Sequence, residues 1–418
     1  MYEAKPERRE LFSKLISDEK VQKALAYIEA DQERCKEELK KLVVIEAPSC
    51  HEEARAAVFA DMLRAQNLED VHISDGGCVV SLRKGTTEGK KVLIEGHMDT
   101  VFPFGTVKGV EEKDGVLYAP GIGDDTRALT MLLCISRALD AAGIRTVKDV
   151  VFAGTTREEG LGGLGGMKDL LNGRDDICTA LSVDNHDMGG ICYQATIGET
   201  WEFTVHGKAG HSYGAFGTMS NAIHAASRAV AKIADIKVPE KPRTTFCVSN
   251  FHAGNMSGVH AFAPEASVVI NFRSNGEEAF AAMKKQIFDA FETAVKEENE
   301  CWNKDTLTYD YRPVSITPGG IQDEHCALVE AAQMSLETLE VKSHLIEGGS
   351  TNANISISKG IPALCMGRGF VPEGQSGNIR NHSVEEFFPL FNAHKAIQHA
   401  LLVLLAAAGV DGLTQPIE

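Results

Sequence analysis

The sequence lacks any Cys-x-x-Cys pair, although it contains ten cysteines. They are scattered along the chain, at Cys35, Cys50, Cys78, Cys134, Cys178, Cys192, Cys247, Cys301, Cys326 and Cys365. Without close pairs, neither a zinc site built from thiolates nor a disulfide framework is indicated. We therefore expect reduced thiols and a cytoplasmic protein.

The chain also lacks an excess of basic residues and long apolar runs. Its 42 Lys and Arg are outnumbered by 59 Asp and Glu, for a formal net charge of −17. This balance argues against a nucleic-acid partner, because phosphate backbones are held mainly by clustered Lys and Arg. No apolar run approaches the roughly 20 residues that cross a bilayer, and the N-terminus has no apolar signal core. We expect an enzyme that handles small molecules or cations, without a membrane partner.

The pattern of short strands and helices indicates an α/β protein. At 418 residues the chain exceeds one ordinary core, so two domains are expected. Apolar strands at 92–95, 150–153 and 180–183 alternate with helical stretches, the strongest at 127–142. This alternation predicts a mixed, mainly parallel sheet whose functional residues gather at the carboxyl ends of the strands.

From about Gly198 the pattern changes to that of a small α+β domain. Strands at 201–206 and 268–273 and helices at 220–236 and 277–298 suit two helices on one face of an antiparallel sheet. The α/β pattern returns after about Tyr311. We therefore predict a discontinuous catalytic domain, residues 1–197 and 313–418, interrupted by an inserted domain, residues 198–312.

His97 and Asp99 follow the strand at 92–95 and form the first candidate site. Residues two apart on a strand share a side, so Asp99 can accept the second ring proton of His97 and orient it for metal binding. An isolated His-x-Asp is more often an ordinary surface loop. Other sites must therefore support it.

Further acids and a second histidine follow strand ends or lie in polar loops. They are Asp124 and Asp125 in a glycine-rich turn, Glu158 and Glu159, Asp184, and His382. Each alone has an ordinary structural explanation, such as a helix N-cap or a solvated surface pair. Together, two histidines and several carboxylates are the ligand types that hold two zinc ions with a bridging carboxylate.

In this order, the motifs resemble those of the M20 zinc metallopeptidases, which include peptidase T, glutamate carboxypeptidase, acetylornithine deacetylase and succinyl-diaminopimelate desuccinylase. The resemblance covers nearly the whole chain and implies a zinc-exopeptidase-like catalytic domain with an inserted lid or dimerisation domain. It implies two Zn²⁺ per subunit, for which Co²⁺ or Mn²⁺ could substitute. The implied metal ligands are His97, Asp184, the bridging Asp124, Glu159 and His382.

The resemblance also assigns roles outside the metal ligands. Asp99 would orient His97, Glu158 would be the general base, and the peptide bond between Asp124 and Asp125 would be cis. His211 would stabilise the oxyanion in the partner's active site, which implies a homodimer. The implied substrate-binding residues are Arg273, Gly349, Ser350 and Asn255.

Three departures from the family pattern concern the substrate region and leave the metal ligands intact. Many members have Lys shortly after the bridging Asp, where this chain has Arg127. The substrate loop often has Asp where this chain has Asn352. The stretch Ala261–Pro264 replaces the usual Asn-x-Ile-Pro of the lid.

The expected reaction is hydrolysis of an amide bond in a small peptide by metal-activated water, with Glu158 moving the proton. At position 184 this chain has Asp after Val, which resembles the tripeptidases of the family, whereas deacylases usually have Glu at that position. The chain thus resembles a peptidase T-like exopeptidase. Hydrolysis of N-acyl amino acids stays open as an alternative, because the same zinc chemistry serves both.

Two remote alternatives can be weighed on local sequence. The first is an NAD-dependent dehydrogenase, because the segment Gly160–Gly165 matches the dinucleotide-binding G-x-G-x-x-G pattern, with Asp184 about twenty residues further on. However, residues 155–159 separate the strand from the first glycine, and two glutamates there would repel phosphates. An inactive peptide-binding protein is disfavoured because every expected ligand and the base are present.

Overall fold

The computed structural model describes residues 4–369 and 380–418. The chain divides into two compact units, a larger one of Met1–Ala195 with Ile321–Glu418 and a smaller one of Thr196–Gly320. The predicted boundaries at 198 and 312 are therefore displaced. The second would cut through a strand that continues to Thr317, and the first would remove Ile197 from its strand.

The bounds of the elements follow in chain order. The helices are α1 (Pro6–Ser17), α2 (Glu19–Ala30), α3 (Gln32–Val43), α4 (Glu53–Arg64), α5 (Thr126–Ala142), α6 (Gly165–Leu170), α7 (Ala222–Ala234), α8 (Glu277–Cys301), α9 (Ala327–Thr338), α10 (Ala353–Ser358) and α11 (His394–Ala408). The strands are β1 (Glu69–Ile73), β2 (Val79–Arg83), β3 (Lys91–His97), β4 (Glu111–Lys113), β5 (Val116–Tyr118), β6 (Asp149–Thr155), β7 (Ile177–Asn185), β8 (Gly190–Cys192), β9 (Ile197–His206), β10 (Gly210–His211), β11 (Thr244–Ala253), β12 (Ala261–Phe262), β13 (Glu265–Ser274), β14 (Thr308–Thr317), β15 (His344–Ile346), β16 (Ala363–Gly367) and β17 (Phe387–Pro389). Among the described residues, no helix is both long and apolar enough to cross a membrane.

The larger unit is built on a mixed, mainly parallel sheet of strand order β1-β2-β6-β3-β7-β16-β8-β15. Its central strands β6, β3, β7 and β16 run parallel, with His97 opposite Thr155 in the register of β3 and β6. Because parallel strands end at the same edge of the sheet, the segments after His97, Thr155 and Asn185 emerge side by side. This confirms the predicted fold class.

Helix α5 lies close against β3 because glycine occupies position 96. A Cβ atom added to Gly96 would lie 2.3 Å from the Cβ of Ala128 and 3.0 Å from Asp125 Oδ2. The distance to Ala128 is shorter than real Cβ atoms show, so only glycine allows the helix to begin directly above the strand end. This contact fixes the turn before α5 next to His97.

The N-terminal region of the larger unit forms three short helices, α1, α2 and α3. Asp18 separates the first two, since its side chain accepts hydrogen bonds from the backbone N–H groups of Lys20 and Val21 and caps α2. The buried faces of these helices join the core of the larger unit.

The smaller unit contains an antiparallel sheet of strand order β11-β13-β9-β14 and the helices α7 and α8. The helices pack on one face of the sheet. Its separate core includes Phe203, which stacks on Phe291 with ring centroids 4.2 Å apart. The α+β interpretation of this region agrees with the structure.

Candidate metal centre

Asp124 lies between the two predicted histidine ligands, in the turn before α5. Its Oδ1 is 3.2 Å from His97 Nε2, and its Oδ2 is 3.3 Å from His382 Nε2. The peptide bond between Asp124 and Asp125 is cis, as the family resemblance implied. A carboxylate that offers one oxygen to each histidine has the arrangement needed to bridge two metal ions.

The remaining predicted ligands complete two groups around Asp124. Asp184 Oδ1 lies 3.6 Å from His97 Nε2, and Glu159 Oε1 lies 2.8 Å from His382 Nε2. Donor atoms of His97, Asp124 and Glu159 all lie within 4.8 Å of one another, and so do those of His97, Asp125 and Asp184. Asp125 is an addition to the predicted set.

The donor set suits divalent cations. Nitrogen and carboxylate oxygen donors converge from strand ends and loops, and they are the ligands that zinc and related ions take in proteins. Asp125 Oδ1 is buried and has no hydrogen-bond partner among the described residues, although Oδ2 accepts the backbone N–H of His97. A buried carboxylate oxygen that accepts no hydrogen bond is available as a cation ligand.

Asp99 holds both His97 and the glutamate pair, in a different way from the prediction. The His97 ring bonds through Nδ1 to the backbone oxygen of Asp99 at 2.9 Å, whereas the Asp99 carboxylate is 3.5 Å away. That carboxylate instead accepts the backbone N–H groups of Glu158 and Glu159, each at 3.0 Å. Asp99 therefore orients the histidine with its main chain and the glutamates with its side chain.

Two residues before α4 support the same loop. Ser49 and Glu52 have the spacing of a capping box, but Ser49 Oγ donates to the backbone oxygen of Glu159. Glu52 Oε1 accepts the backbone N–H groups of Cys50 and Arg157, both at 2.9 Å. These side chains fix the segment that carries Glu158 and Glu159 rather than cap the helix.

Arg368 is a buried cation at this centre that sequence reasoning missed. Its Nη1 donates to the carboxylate and the backbone oxygen of Asp184 and lies 3.2 Å from Asp124 Oδ1. It also lies 3.7 Å from Asp125 Oδ1. Arg368 directly follows β16, so the rule that functional residues cluster at strand ends could have found it.

Glu386 fixes the turn that carries Asp124. This buried side chain accepts backbone N–H groups from Gly121, Gly123 and Asp124 at 2.8 to 2.9 Å. Burial, followed by the nearby Asp124 carboxylate, raises the pKa of Glu386 to about 7. In the sequence it is half of a Glu-Glu pair, which is usually solvated surface.

Mutual contacts shift the pKa values within the centre. Burial opposes the charged ring of His97, but hydrogen bonds with Asp124 and Asp184 raise its pKa well above the usual value. Hydrogen bonds with Asp124 and Glu159 raise the pKa of His382 to about 10. Burial raises the pKa of Glu158 well above that of a free carboxyl. Metal binding at such a centre would release protons from the histidines.

The remaining predicted residues lie in separate places. Gly349 and Ser350 belong to the larger unit, in the loop before α10, where Gly349 forms a parallel bridge with Ala195. His211, Arg273 and Asn255 belong to the smaller unit. The oxygen of the Asn255 side chain accepts the N–H and hydroxyl of Ser257, so part of its bonding capacity is used locally.

Arg127 has a structural position, which accounts for one departure from the family pattern. Its guanidinium is buried, donates to the backbone oxygen of Ala393 at 3.0 Å, and lies over the ring of Phe388. It supports the C-terminal region rather than reaching a substrate.

The glycines after Glu159 form a short 3-10 turn, Gly160–Gly162, so they do not open a helix directly after a strand as a dinucleotide fingerprint requires.

Comparison with known proteins finds related chains. A succinyl-diaminopimelate desuccinylase of Acinetobacter baumannii is 28% identical over 343 residues, which cover 77% of this chain and 85% of the relative. A tripeptidase structure from Staphylococcus aureus superposes with a TM-score of 0.74 at 23% identity, covering 89% of this chain and 97% of the other. Aminopeptidase PepT from Bacillus cereus gives a TM-score of 0.73 at 22% identity, covering 89% and 98% of the two chains. At these identities the two structures show a shared fold.

The model of peptidase family M20/M25/M40 matches residues 93–406, which include every predicted metal ligand. The NAD-dependent dehydrogenase alternative is therefore excluded. This chain belongs to the M20/M25/M40 peptidase family and is a hydrolase of that family.

Proposed function

We propose that this protein is a dinuclear metal-dependent exopeptidase, similar to peptidase T, that cleaves an amide bond in a small peptide. The position of Asp124 carries the proposal, because its two carboxylate oxygens face His97 and His382 separately. Zn²⁺ is the expected ion, since imidazole and carboxylate donors suit it. His97, Asp184 and Asp124 would hold one ion, and Asp124, Glu159 and His382 the other.

Glu158 is the proposed general base. When bound, two such ions would polarise the substrate carbonyl and acidify a water molecule. The Glu158 carboxylate takes the proton of the attacking water and returns it to the nitrogen of the leaving amine. Its backbone is held by the Asp99 carboxylate, and its raised pKa suits a group that must both accept and donate a proton.

His211 is proposed to stabilise the oxyanion in a partner subunit. Its Nδ1 accepts the backbone N–H groups of Tyr213 and Gly214, both at 3.3 Å. A ring proton must therefore sit on Nε2, which leaves that atom as a hydrogen-bond donor. This is the tautomer that oxyanion stabilisation requires.

The surface of the smaller unit supports a homodimer. Tyr213 and Met256 are 90% and 91% exposed, and Phe216 and Val259 are also exposed. Strand β11 is an edge strand of its sheet and is largely exposed. Exposed apolar side chains and an edge strand with one unpaired side are both typical of an interaction surface. The inserted unit is thus proposed as a lid and dimerisation domain.

Four residues are proposed to recognise the substrate. Arg273 is exposed, and its Nε donates to Asn271 Oδ1, so its Nη atoms could bind a substrate carboxylate as a bidentate pair. Gly349, Ser350 and Asn255 are the other residues proposed to bind the substrate. Arg368, by contrast, is committed to the carboxylates of the metal centre.

Hydrolysis of an N-acyl amino acid is the second candidate. It is favoured by the sequence similarity to a desuccinylase over most of the chain. Both candidates use the same metal centre and differ in the part of the substrate that the pocket recognises.

Glu158→Gln tests the function directly. We expect the variant to bind both metals as the wild type does, while kcat falls by about 100-fold or more, since a general base contributes that much. Metal content is measured on the purified proteins after reconstitution with Zn²⁺ or Co²⁺. Glu69→Gln is the matched control, because Glu69 is exposed at the start of β1. Full activity in Glu158→Gln would contradict the assigned role.

A substrate screen separates the two candidates. Di- and tripeptides are compared with N-acyl and N-succinyl amino acids, and the free amine and free carboxylate of the peptides are blocked in turn. Turnover that is lost on blocking the amine supports an aminopeptidase, and loss on blocking the carboxylate supports a carboxypeptidase. Turnover of acyl amino acids alone would replace the peptidase proposal with the second candidate.

A further inference from the structure

Glu95 is a buried carboxylate that the proposed mechanism does not use. It lies on β3, two residues before His97, and its exposed fraction is 1%. Its hydrogen-bond partners in the described part of the chain are neutral groups: the hydroxyls of Ser182 and Thr155 and the side-chain amide of Asn352. Burying a carboxylate without a cationic partner costs free energy. The presence of Glu95 here, with three hydrogen-bond donors arranged around it, therefore needs an explanation.

The three donors come from three different elements. Thr155 Oγ1 at the end of β6 donates to Glu95 Oε2 at 3.0 Å, and Ser182 Oγ on β7 donates to Oε1. Asn352 Nδ2, directly before α10, donates to Glu95 Oε2 at 2.9 Å and to Thr155 Oγ1 at 2.8 Å. The network therefore ties the loop before α10 to three strands that lead into the metal centre.

Asn352 ends the loop of residues 348–352, which includes the proposed substrate-binding residues Gly349 and Ser350. Gly348 has a φ of +114°, a conformation that L side chains rarely adopt. Asn352 is itself buried, with 1% of its surface exposed. Its hydrogen bond to Glu95 is thus an anchor at the end of a loop that is otherwise half-exposed.

We propose that Glu95 is a positioning residue that holds the 348–352 loop in its substrate-binding conformation through the Asn352 side chain. The inference rests on the proposed function, because it takes this loop to contact the substrate. It also accounts for the second departure from the family pattern. An Asp at position 352 would bring two carboxylates together in a buried place, whereas the amide of Asn donates to Glu95.

The test exchanges the charge between the two positions. Asn352→Asp places like charges in contact and should release the loop. The double variant Glu95→Gln with Asn352→Asp restores a donor and an acceptor with their roles reversed. Asn303→Asp, at an exposed position of the smaller unit, is the control for an Asn-to-Asp change as such.

Four quantities are measured on the full chain: hydrogen exchange of peptides that contain residues 348–352, metal content, kcat and KM. For Asn352→Asp we expect loop exchange to accelerate and KM to rise by roughly 10- to 100-fold, the range for losing a buried hydrogen bond to a charged group. Metal content and kcat should stay near wild-type values. The double variant should recover slow exchange and a KM near that of the wild type.

Three results would overturn the inference: unchanged loop exchange in Asn352→Asp, no recovery in the double variant, or loss of metal from Asn352→Asp. Hydrogen exchange and metal content need no substrate. In one outcome, the wild type hydrolyses no peptide while loop exchange still accelerates in Asn352→Asp and recovers in the double variant. That result would contradict the proposed function and support the role of Glu95 in holding the loop. If peptides are hydrolysed and the substitutions leave loop exchange unchanged, the proposed role of Glu95 is wrong and the proposed function is unaffected.

Discussion

Single residues at this centre act through more than one contact. Asp99 serves His97 with its backbone oxygen and the two glutamates with its carboxylate. The sequence pattern was enough to propose His97 as a ligand. It could not show that Asp99 uses its backbone oxygen for one contact and its carboxylate for the others, because that depends on where the 158–159 segment lies in space. Arg368 is the clearest omission, since a lone arginine after a strand gives no sign that acids from distant turns surround it.

Removing the Arg368 guanidinium should destabilise the protein more without bound metal than with it. Arg368→Met leaves Asp124, Asp125 and Asp184 without their buried cation, and breaking a buried ion pair costs about 3–5 kcal/mol. The loss of unfolding free energy should shrink when divalent ions neutralise the same carboxylates. Urea unfolding with a chelator and with saturating Zn²⁺ measures both values.

The exposed Arg64, which pairs only with Asp61 among the described contacts, provides the control variant Arg64→Met. Its unfolding free energy should change little in either condition. An equal loss for Arg368→Met with and without metal would show that the guanidinium and the ions do not share these carboxylates.

At the scale of elements, the positions of helices and strands were largely predictable, and their connections were less so. Alternating apolar runs predicted β3, β6 and β7, and apolar periodicity predicted α5. The end of the inserted domain was placed too early, because β14 is mostly exposed and lacks an apolar run. Its strand character comes from pairing with β9, which is a tertiary contact.

Helices α9 and α11 meet at a buried histidine that should make stability depend on pH. His399 Nδ1 is hydrogen-bonded to Ser335 Oγ at 2.9 Å, and burial lowers the pKa of His399 from 6.5 to about 3. Between these pH values the unfolded chain binds more protons than the folded one. The contribution of His399 is therefore fully present above pH 6.5 and is lost as the pH falls, by up to about 1.4 kcal/mol per pH unit.

His399→Leu should flatten the dependence of unfolding free energy on pH between 5 and 6.5, because leucine takes up no proton. Urea unfolding at a series of pH values measures the slope. His252→Leu serves as the control, since His252 is exposed on β11. A slope in His399→Leu as steep as that of the wild type would contradict the assignment.

At the scale of the whole molecule, each of the two units has its own core, and the candidate functional residues are divided between them. The predicted metal ligands lie in the larger unit, and His211 lies in the smaller one. If His211 acts in a partner subunit, an active site needs two chains. The apolar side chains exposed near His211 fit such an assembly.

Mixing two inactive variants tests this arrangement. His211→Ala and Glu158→Gln should each lose most activity, and mixing them with subunit exchange should restore a fraction of it. One site of the mixed dimer then receives an intact Glu158 from one chain and an intact His211 from the other. Activity is followed with time after mixing, alongside the oligomeric state by light scattering. A protein that stays monomeric and active would refute the proposal, as would a dimer without any recovery.

By itself, the sequence determined the family and the α/β class and supplied the proposed donor residues, because these depend on local periodicity and on residue types in a fixed order. Tertiary structure decided which of these donor side chains lie close together. It brought Arg368 and Glu386 to the turn of Asp124, and Asn352 to Glu95, across more than two hundred residues of chain in each case. No local sequence pattern predicts these long-range contacts, since they form only when parallel strands end at a common edge and the loops beyond them pack together.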